Sequence, residues 1–293
     1  MKEIVVISGK GGTGKTSLTA ALAAYIRNSA VIADCDVDAA DMHLLLNPEP
    51  GKVEDFYSGK LAEINNDLCS ECGICRDKCR FNAIDIVEGN YSVNKINCEG
   101  CAYCAAVCPE NAISMIDNKA GQLFISTSRF GATLVHARLG VAAENSGKLV
   151  AKVKSEAKQI AEDEAKDYIL VDGSPGIGCP VVSSLSGADF VVFVSEPTRS
   201  ALHDLKRVNE LVKKFGINSG CIINKYDLNR GIAGEIEKFL GEENIAILER
   251  FPYDSSFPEA ITQGLTIYET NNKQLAGKVE KTWENIRKLT NKN

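Results

Sequence analysis

Short apolar segments rich in β-branched residues recur along the chain, and longer stretches with helical spacing separate them. Strands are predicted near residues 4–7, 30–33, 122–126, 168–171, 190–194 and 220–223. Apolar runs of this length without polar alternation are typical of parallel strands that are covered on both faces. The order of these elements predicts an α/β fold with a mostly parallel sheet and a ligand site at the carboxyl ends of the strands.

Composition narrows the class of protein. The chain has 293 residues, is 44% hydrophobic and carries a net charge of −6, which is typical of a folded protein. No apolar run approaches the ~18 residues of a membrane-spanning helix. The start, Met1-Lys2-Glu3 followed by Ile4–Ile7, is expected to be a strand rather than a signal peptide, so we expect a cytoplasmic location. The acidity argues against nucleic acid as a partner.

Eight of the eleven cysteines lie within forty residues, in two quartets that both read C-x2-C-x2-C-x3-C. The two segments form an internal repeat with an offset of 98 − 69 = 29 residues, and Asn82-Ala83-Ile84 recurs as Asn111-Ala112-Ile113. A reducing cytosol makes a disulfide framework unlikely, so this pattern indicates a metal site. The quartets are Cys69, Cys72, Cys75, Cys79 and Cys98, Cys101, Cys104, Cys108.

The spacing suits iron–sulfur clusters. Three thiolates three residues apart can bind three corners of one [4Fe–4S] cluster, while the fourth cysteine reaches the other cluster. This assigns cluster one to Cys69, Cys72, Cys75 and Cys108, and cluster two to Cys98, Cys101, Cys104 and Cys79. A pair of zinc sites is the alternative, because C-x2-C pairs also bind zinc.

The repeat resembles a bacterial two-cluster ferredoxin over residues 64–118. Pro109 follows Cys108 as that motif expects, but Arg80 follows Cys79. The departure is expected to affect the potential of cluster two, in a direction that the sequence does not give.

A glycine-rich segment, Gly9–Thr16, follows the first predicted strand and satisfies two patterns. Gly9, Gly11 and Gly14 fit the dinucleotide fingerprint, with Asp34 where an acid would bind ribose. The same segment fits the phosphate-binding loop G-x-x-x-x-G-K-[ST]. The pair Lys15-Thr16 favours the second interpretation, because a triphosphate site needs both a lysine and a magnesium-binding hydroxyl.

Lys10 within this loop gives the variant K-G-G-x-G-K-T, and here the chain resembles the MinD/ParA/nitrogenase-iron-protein family of dimeric ATPases, in the branch with an inserted two-cluster ferredoxin. The resemblance implies catalytic roles for Lys10, Lys15 and Asp36, with Lys10 acting on the nucleotide of the other subunit. It implies that Thr16, Asp36 and Asp172 bind magnesium. The implied ATP-binding residues are Gly9, Lys10, Gly11, Gly12, Thr13, Gly14, Lys15, Thr16, Ser17, Gly176, Asn224, Pro252 and Tyr253.

The motifs predict two domains. Residues 1–60 and 119–293 are expected to form the ATPase domain, and residues 61–118 the inserted ferredoxin-like domain. Between Asn66 and Asn118 the insert has eight acidic and four basic residues, which favours a basic docking partner.

Three cysteines lie outside the quartets. Cys35 and Cys221 are predicted to be buried thiols of core strands. Cys179 lies seven residues after Asp172, where the resemblance places a cluster-bridging cysteine of the nitrogenase iron protein. The second bridging cysteine is missing from residues 139–150, so Cys179 is predicted either as an interface thiol or as a buried one.

The carboxyl-terminal residues Leu275, Val279, Trp283, Ile286 and Leu289 share one helical face. This face is predicted to pack on the core rather than to bind a membrane surface.

Together these observations predict a Mg·ATP-dependent dimer, homodimeric or formed with a paralogue, in which nucleotide gates electron transfer from two [4Fe–4S] clusters to a redox or metalloprotein partner. The alternative is an ATP-dependent cluster or metal carrier. A spatial organiser of the MinD or ParA kind is a third hypothesis.

Overall fold

A computed structural model describes residues 1–140 and 146–291. Strands and helices alternate along most of the chain. The strands are β1 (Lys2–Ile7), β2 (Ala30–Asp34), β3 (Glu49–Ile64), β4 (Ile84–Val87), β5 (Asn90–Val93), β6 (Ile113–Thr127), β7 (Thr133–Leu139), β8 (Tyr168–Asp172), β9 (Phe190–Ser195), β10 (Asn218–Ile223) and β11 (Ala246–Arg250). The helices are α1 (Lys15–Ile26), α2 (Met42–Leu46), α3 (Ile74–Lys78), α4 (Tyr103–Ala106), α5 (Ser146–Asp163), α6 (Cys179–Leu185), α7 (Arg199–Phe215), α8 (Arg230–Glu242), α9 (Ser256–Thr262) and α10 (Lys273–Thr290).

Nine strands form one sheet in the order β11-β10-β9-β1-β8-β2-β7-β6-β3. The pairs from β11 through to β7 are parallel, which confirms the predicted α/β fold with a mostly parallel sheet. The central strand β1 lies between β8 and β9, and its residues from Ile4 to Ile7 are fully buried. The carboxyl ends of β1, β2 and β8 therefore meet at one edge, where the glycine-rich loop, Asp34 and Asp172 lie.

The chain divides into two compact units. The first comprises Met1–Glu54, Leu123–Arg138 and residues 146–291, and the second comprises Asp55–Gln122 with Leu139 and Gly140. The second unit thus begins six residues before, and extends four residues beyond, the predicted 61–118 segment. The strands β3 and β6 each contain residues of both units.

Helix α10 packs on the first unit through its apolar face. Leu275, Val279, Trp283 and Ile286 are all buried, and the Trp283 ring meets Tyr168 edge-on at 5.0 Å between ring centroids. This burial agrees with the predicted packed helix. Among the residues that the structure describes, no helix combines the length and the apolarity needed to cross a bilayer.

The second unit has an internal repeat in its backbone. Left-handed backbone conformations occur in pairs 29 residues apart, at Glu71 and Gly100, at Gly73 and Ala102, and at Asn82 and Asn111. Asn65 N–H donates to the carbonyl of Ala112, and Asn94 N–H donates to that of Ala83, at 2.8 and 2.7 Å. Asn94 is the repeat equivalent of Asn65, and Ala83 is that of Ala112. The same hydrogen bond therefore forms twice, once from each half to the other, so an approximate twofold axis relates the two halves.

Candidate functional site

The glycine-rich loop connects β1 to the first turn of α1. Gly12 and Gly14 have φ values of +79° and +89°, which side-chain-bearing residues rarely adopt. A Cβ atom at Gly9 would lie 2.5 Å from the backbone of Asp204 in α7, so this position also requires glycine. The loop therefore turns tightly and delivers Lys15 to the amino-terminal end of α1, a place suited to bind phosphate.

Lys15 and two carboxylates meet at the end of the sheet. Lys15 Nζ lies 2.9 Å from Asp172 and 3.5 Å from Asp36, and the Thr16 hydroxyl donates to Asp172 at 2.7 Å. Burial opposes the charge of Lys15, but Asp172 and Asp36 outweigh burial and raise its pKa. The Thr16 hydroxyl and the Asp36 carboxylate line the cavity at the loop and offer the hard oxygen ligands that magnesium prefers, whereas Asp172 is fully buried behind them and holds Thr16.

Asp34 lies behind this group rather than at its surface. It is fully buried, and its Oδ1 accepts a hydrogen bond from the backbone N–H of Asp36 at 3.1 Å. Burial, with Asp172 nearby, raises the pKa of Asp34 well above its ordinary value. An acid that binds a ribose hydroxyl must reach the ligand, so the position of Asp34 disfavours the dinucleotide interpretation.

Lys10 lies in a second charged group. Its Nζ is 2.7 Å from one oxygen of Glu196, and Lys225 Nζ is 2.8 Å from the other. Burial alone would raise the pKa of Glu196, but hydrogen bonds from both lysines leave it lowered. Glu196 therefore holds Lys10 and Lys225 together beside the loop.

The residues expected around the base follow two neighbouring strands, β10 and β11, but none of them lines the cavity at the loop. Asn224 is buried, donates from Nδ2 to the carbonyl of Thr13 at 2.8 Å, and accepts at Oδ1 from the Lys225 N–H. Its amide is thus engaged with the protein rather than directed to a ligand. Pro252 and Tyr253 do not line the cavity at the loop, and Tyr253 is exposed.

The cavity beside the loop has a volume of about 690 Å³. Its wall brings together most of the predicted phosphate-site residues. Gly176 does not line it, and its N–H donates to the carbonyl of Ser8 at 2.9 Å. The lining residues are Ser8, Gly11, Gly12, Thr13, Gly14, Lys15, Thr16, Ser17, Asp36, Asp38, Ala39, Asp41, Ser146, Ser174, Pro175 and Pro180.

Two polar residues of the site carried no prediction of a role. Thr19 donates to Asp172 at 2.9 Å and so fixes the carboxylate from the other side. It lies four residues after Lys15 on the same helical face, a spacing visible in the sequence. Glu196 follows β9 directly. A charged residue at the end of a predicted strand is the feature of the sequence that could have identified it.

The second unit contains two cavities, and each is lined by one crossed quartet of cysteines. Cavity one is lined by Cys69, Cys72, Cys75 and Cys108. Cavity two, of about 320 Å³, is lined by Cys79, Cys98, Cys101 and Cys104. The folded chain thus places the last cysteine of each motif beside the first three of the other.

Backbone donors point at the crossing thiols. Ala83 N–H donates to Cys79 Sγ at 3.4 Å, and Ala112 N–H donates to Cys108 Sγ at 3.3 Å. Such hydrogen bonds stabilise thiolates and are one means by which proteins tune a bound cluster.

Within residues 1–140 and 146–291, no three His, Cys, Asp or Glu side chains converge closely enough to hold a single metal ion. The thiols of each quartet instead surround a cavity. Cubane clusters carry iron at four separate corners, so four thiols around a cavity fit that group.

The remaining cysteines lie in the first unit. Cys35 and Cys221 are buried, whereas Cys179 is exposed at the start of α6. A Cβ atom at Gly147 would lie 3.2 Å from Cys179 Cβ, so residues near 147 pass beside this thiol. Residues 141–145 of the 139–150 segment lie outside the described residues.

Comparisons with known proteins agree with this fold. The family model of the CobQ/CobB/MinD/ParA nucleotide binding domain matches residues 4–267. An uncharacterized protein of Methanocaldococcus jannaschii is 32% identical over 289 residues, which cover 98% of this chain and 97% of that protein.

Two solved structures are similar in fold. The cell division ATPase MinD of Pyrococcus furiosus superposes with a TM-score of 0.58 at 19% identity, over 98% of this chain and 99% of that one. The septum site-determining protein MinD of Pyrococcus horikoshii, complexed with Mg-ADP, gives 0.56 at 19% identity, over 97% and 95%.

Proposed function

Since the chain belongs to the CobQ/CobB/MinD/ParA nucleotide-binding family, we propose that it is a Mg·ATP-hydrolysing iron–sulfur protein in which the nucleotide gates electron transfer to a partner protein. One observation supports the redox part of the proposal: two cavities are each lined by four cysteines, in the crossed pairing that is typical of two-cluster ferredoxins.

The nucleotide part rests on the loop and its carboxylates. Backbone N–H groups of Gly11–Lys15 and the Lys15 ammonium would bind the phosphates, and Thr16, Asp36 and Asp172 would hold magnesium. Asp36 would orient the attacking water. Lys10 would leave Glu196 and act on the nucleotide of the other subunit in a homodimer or a dimer with a paralogue.

The cluster part rests on the cysteines and their donors. The two quartets would hold the clusters, and Ala83 and Ala112 would donate to the crossing sulfurs. Bound clusters supply one-electron storage and transfer.

A nucleotide-dependent coupling of the usual ~1–3 kcal/mol would shift a one-electron potential by about 40–130 mV. The strands β3, β6 and β7 contain residues of both units, and they are covalent connections through which closure at the nucleotide would act.

The test is anaerobic purification followed by iron analysis and EPR-monitored redox titration without nucleotide, with Mg·ADP and with Mg·ATP. We expect about eight iron atoms per chain and a midpoint potential that changes with Mg·ATP. Lys15→Ala should keep the iron and lose the nucleotide effect. Identical titrations in all three conditions would exclude gating, and a chain containing zinc would exclude the clusters.

A second function, ATP-dependent transfer of a cluster to a target metalloenzyme, is favoured by one observation. Each quartet includes an exposed cysteine, Cys72 in one and Cys101 in the other. Exposed ligands are accessible to the thiols of an acceptor. Loss of iron from this chain to an apo-protein, dependent on ATP, would support transfer over electron flow.

A further inference from the structure

The two cysteine cavities are equivalent by the repeat but differ in size. Tyr91 lines cavity one, and its repeat equivalent Ala62 lines cavity two. The tyrosine is large and buried, and the open volume of cavity one is about 20 Å³ against 320 Å³ for cavity two. Cys75 of cavity one is also buried, whereas its equivalent Cys104 in cavity two is half-buried. Cavity two is therefore the larger of the two sites.

The cavities also differ in charge. Lys78, Arg80 and Glu99 line cavity two, whereas Glu110 is the charged residue that lines cavity one. The repeat equivalents of Lys78 and Arg80 are the uncharged Val107 and Pro109. The lining charge is thus +1 for cavity two (2 − 1) and −1 for cavity one.

Hydrogen bonding to sulfur does not separate the two sites. The N–H to Sγ distances at Cys79 and Cys108 are 3.4 and 3.3 Å, and the donors are repeat equivalents. Charge and size remain as the differences, and the lining charge favours reduction at cavity two. Adding an electron makes a cluster more negative, so nearby cations and water stabilise the reduced form.

We propose that cavity two holds the cluster of higher reduction potential, and that Arg80 and Lys78 set this order. This inference rests on the proposed function, because it requires both clusters. The first electron from an external low-potential one-electron donor converts the cluster of cavity two from [4Fe–4S]2+ to [4Fe–4S]+, and the second electron reduces cavity one. No bond breaks and no proton moves in either step.

The experiment is an EPR-monitored dithionite titration of the anaerobically purified full chain and its variants. Wild type should give two separate one-electron steps. Arg80→Gln should decrease the ratio of reduced to oxidised cluster in the upper step about tenfold. This is equivalent to a decrease of about 59 mV in the midpoint potential of that one-electron step. Glu110→Gln should raise the lower step. Lys119→Gln, at an exposed lysine of β6 that lines neither cavity and is not adjacent to a quartet cysteine, is the control and should move neither step.

Ligand variants assign the steps. Cys101→Ser should perturb the upper step and Cys72→Ser the lower one. The inference is overturned if the assignment is reversed, if the steps coincide, or if Arg80→Gln moves the lower step. Should Arg80→Gln fail to assemble, Lys78→Gln and Glu110→Gln test the same charges. A chain without iron overturns the proposed function as well, whereas eight irons with coincident steps overturn only the order of potentials.

Discussion

At the scale of single residues, a half-buried histidine with a lowered pKa connects pH to stability. His136 on β7 stacks on Phe124 at 5.0 Å and faces His43 at 6.0 Å between ring centroids. Burial, with His43 and Arg138 nearby, lowers the pKa of His136 to about 4. The unfolded chain binds this proton near pH 6.5, so folding excludes a proton between those two values.

We therefore expect the free energy of unfolding to fall by about 3 kcal/mol as the pH falls from 6.5 to 4, because the unfolded chain binds a proton at His136 that the folded chain excludes. Above pH 6.5 His136 is neutral in both the folded and the unfolded chain, so no stability is lost there. His136→Gln should flatten this part of the stability profile, measured by urea unfolding from pH 7 to pH 4. His203→Gln, at an exposed histidine, is the control and should leave the slope unchanged. An unchanged slope in His136→Gln would contradict the assignment.

Asn224 is expected to act through the loop rather than through the base. Its Nδ2 satisfies the carbonyl of Thr13, and a Cβ atom at Gly14 would lie 2.4 Å from that nitrogen. Removing it leaves a buried carbonyl unpaired next to the phosphate-binding N–H groups. Asn224→Ala should cost about 1–3 kcal/mol of unfolding free energy and should weaken nucleotide binding.

Asn209→Ala is the matched control for this prediction. Asn209 is as buried as Asn224 but lies away from the loop. Its Nδ2 donates to Glu243 at a distance of 3.0 Å. This variant should lose stability and keep its nucleotide affinity, as measured by titration with a fluorescent nucleotide. Equal nucleotide affinity in the two variants would show that Asn224 does not support nucleotide binding.

At the scale of elements, the motifs were predictable because their chemistry fixes residue types at fixed spacings. The loop Gly9–Thr16 and the cysteine quartets each occupy one short segment, and β1, which leads into the loop, is apolar from Ile4 to Ile7. Those features are visible without tertiary structure.

The sequence pattern did not predict three strands of the large sheet, β3, β7 and β11. Their polar residues interrupt or replace an apolar run, and tertiary contacts stabilise the strands nonetheless. In β11, Glu249 is buried, yet Lys278 and Lys281 of α10 lie 3.0 and 2.9 Å from its carboxylate. In β7, the rings of His43 and Phe124 cover His136. In β3, most residues from 49 to 60 are exposed at the edge of the sheet, so no apolar run marks it. Such partners lie far away in the sequence.

The repeat in the second unit yields a paired test of backbone geometry. Gly100 has φ +63°, and a Cβ atom there would lie 2.1 Å from the carbonyl oxygen of Lys60. Its equivalent Glu71 has φ +57° and already carries a side chain. Gly100→Ala should distort the segment that carries Cys98 and Cys101, and, if the quartets hold clusters as proposed, should lose about half of the iron. Glu71→Ala should keep it all, and equal iron contents would refute the difference.

Helix α10 is expected to be a structural element of the first unit. Trp283→Ala removes a buried indole and should cost about 3–5 kcal/mol of unfolding free energy. The measurement is urea unfolding followed by circular dichroism, because Trp283 is the only tryptophan. Lys288→Ala, on the exposed side of the helix, should change stability by less than about 0.5 kcal/mol. A small effect of Trp283→Ala, together with binding to anionic vesicles, would instead indicate a membrane-binding helix.

At the scale of the whole molecule, each unit has its own core, and the two cores differ in kind. The core of the first unit is a large apolar cluster that includes Phe190, Leu134 and Trp283. That of the second unit is small, with Ala62, Cys75, Ile84, Tyr91 and Ile113 buried and several half-buried cysteines packed against them. A core of this size is typical of small domains that depend on metals or disulfides for stability.

If the quartets hold iron–sulfur clusters as proposed, removal of iron should unfold the second unit and spare the first. The thiols that line its core then repel one another as thiolates or leave cavities as thiols, and either costs folding free energy. After treatment with a chelator and an oxidant, followed by reduction of the thiols, amide hydrogen exchange should become fast over Asp55–Gln122. Protection should persist in β1, β8 and β9, and nucleotide affinity should stay the same. A second unit that keeps its protection without iron would show that its fold precedes the clusters, and lost protection in β1 would show that the iron stabilises both units.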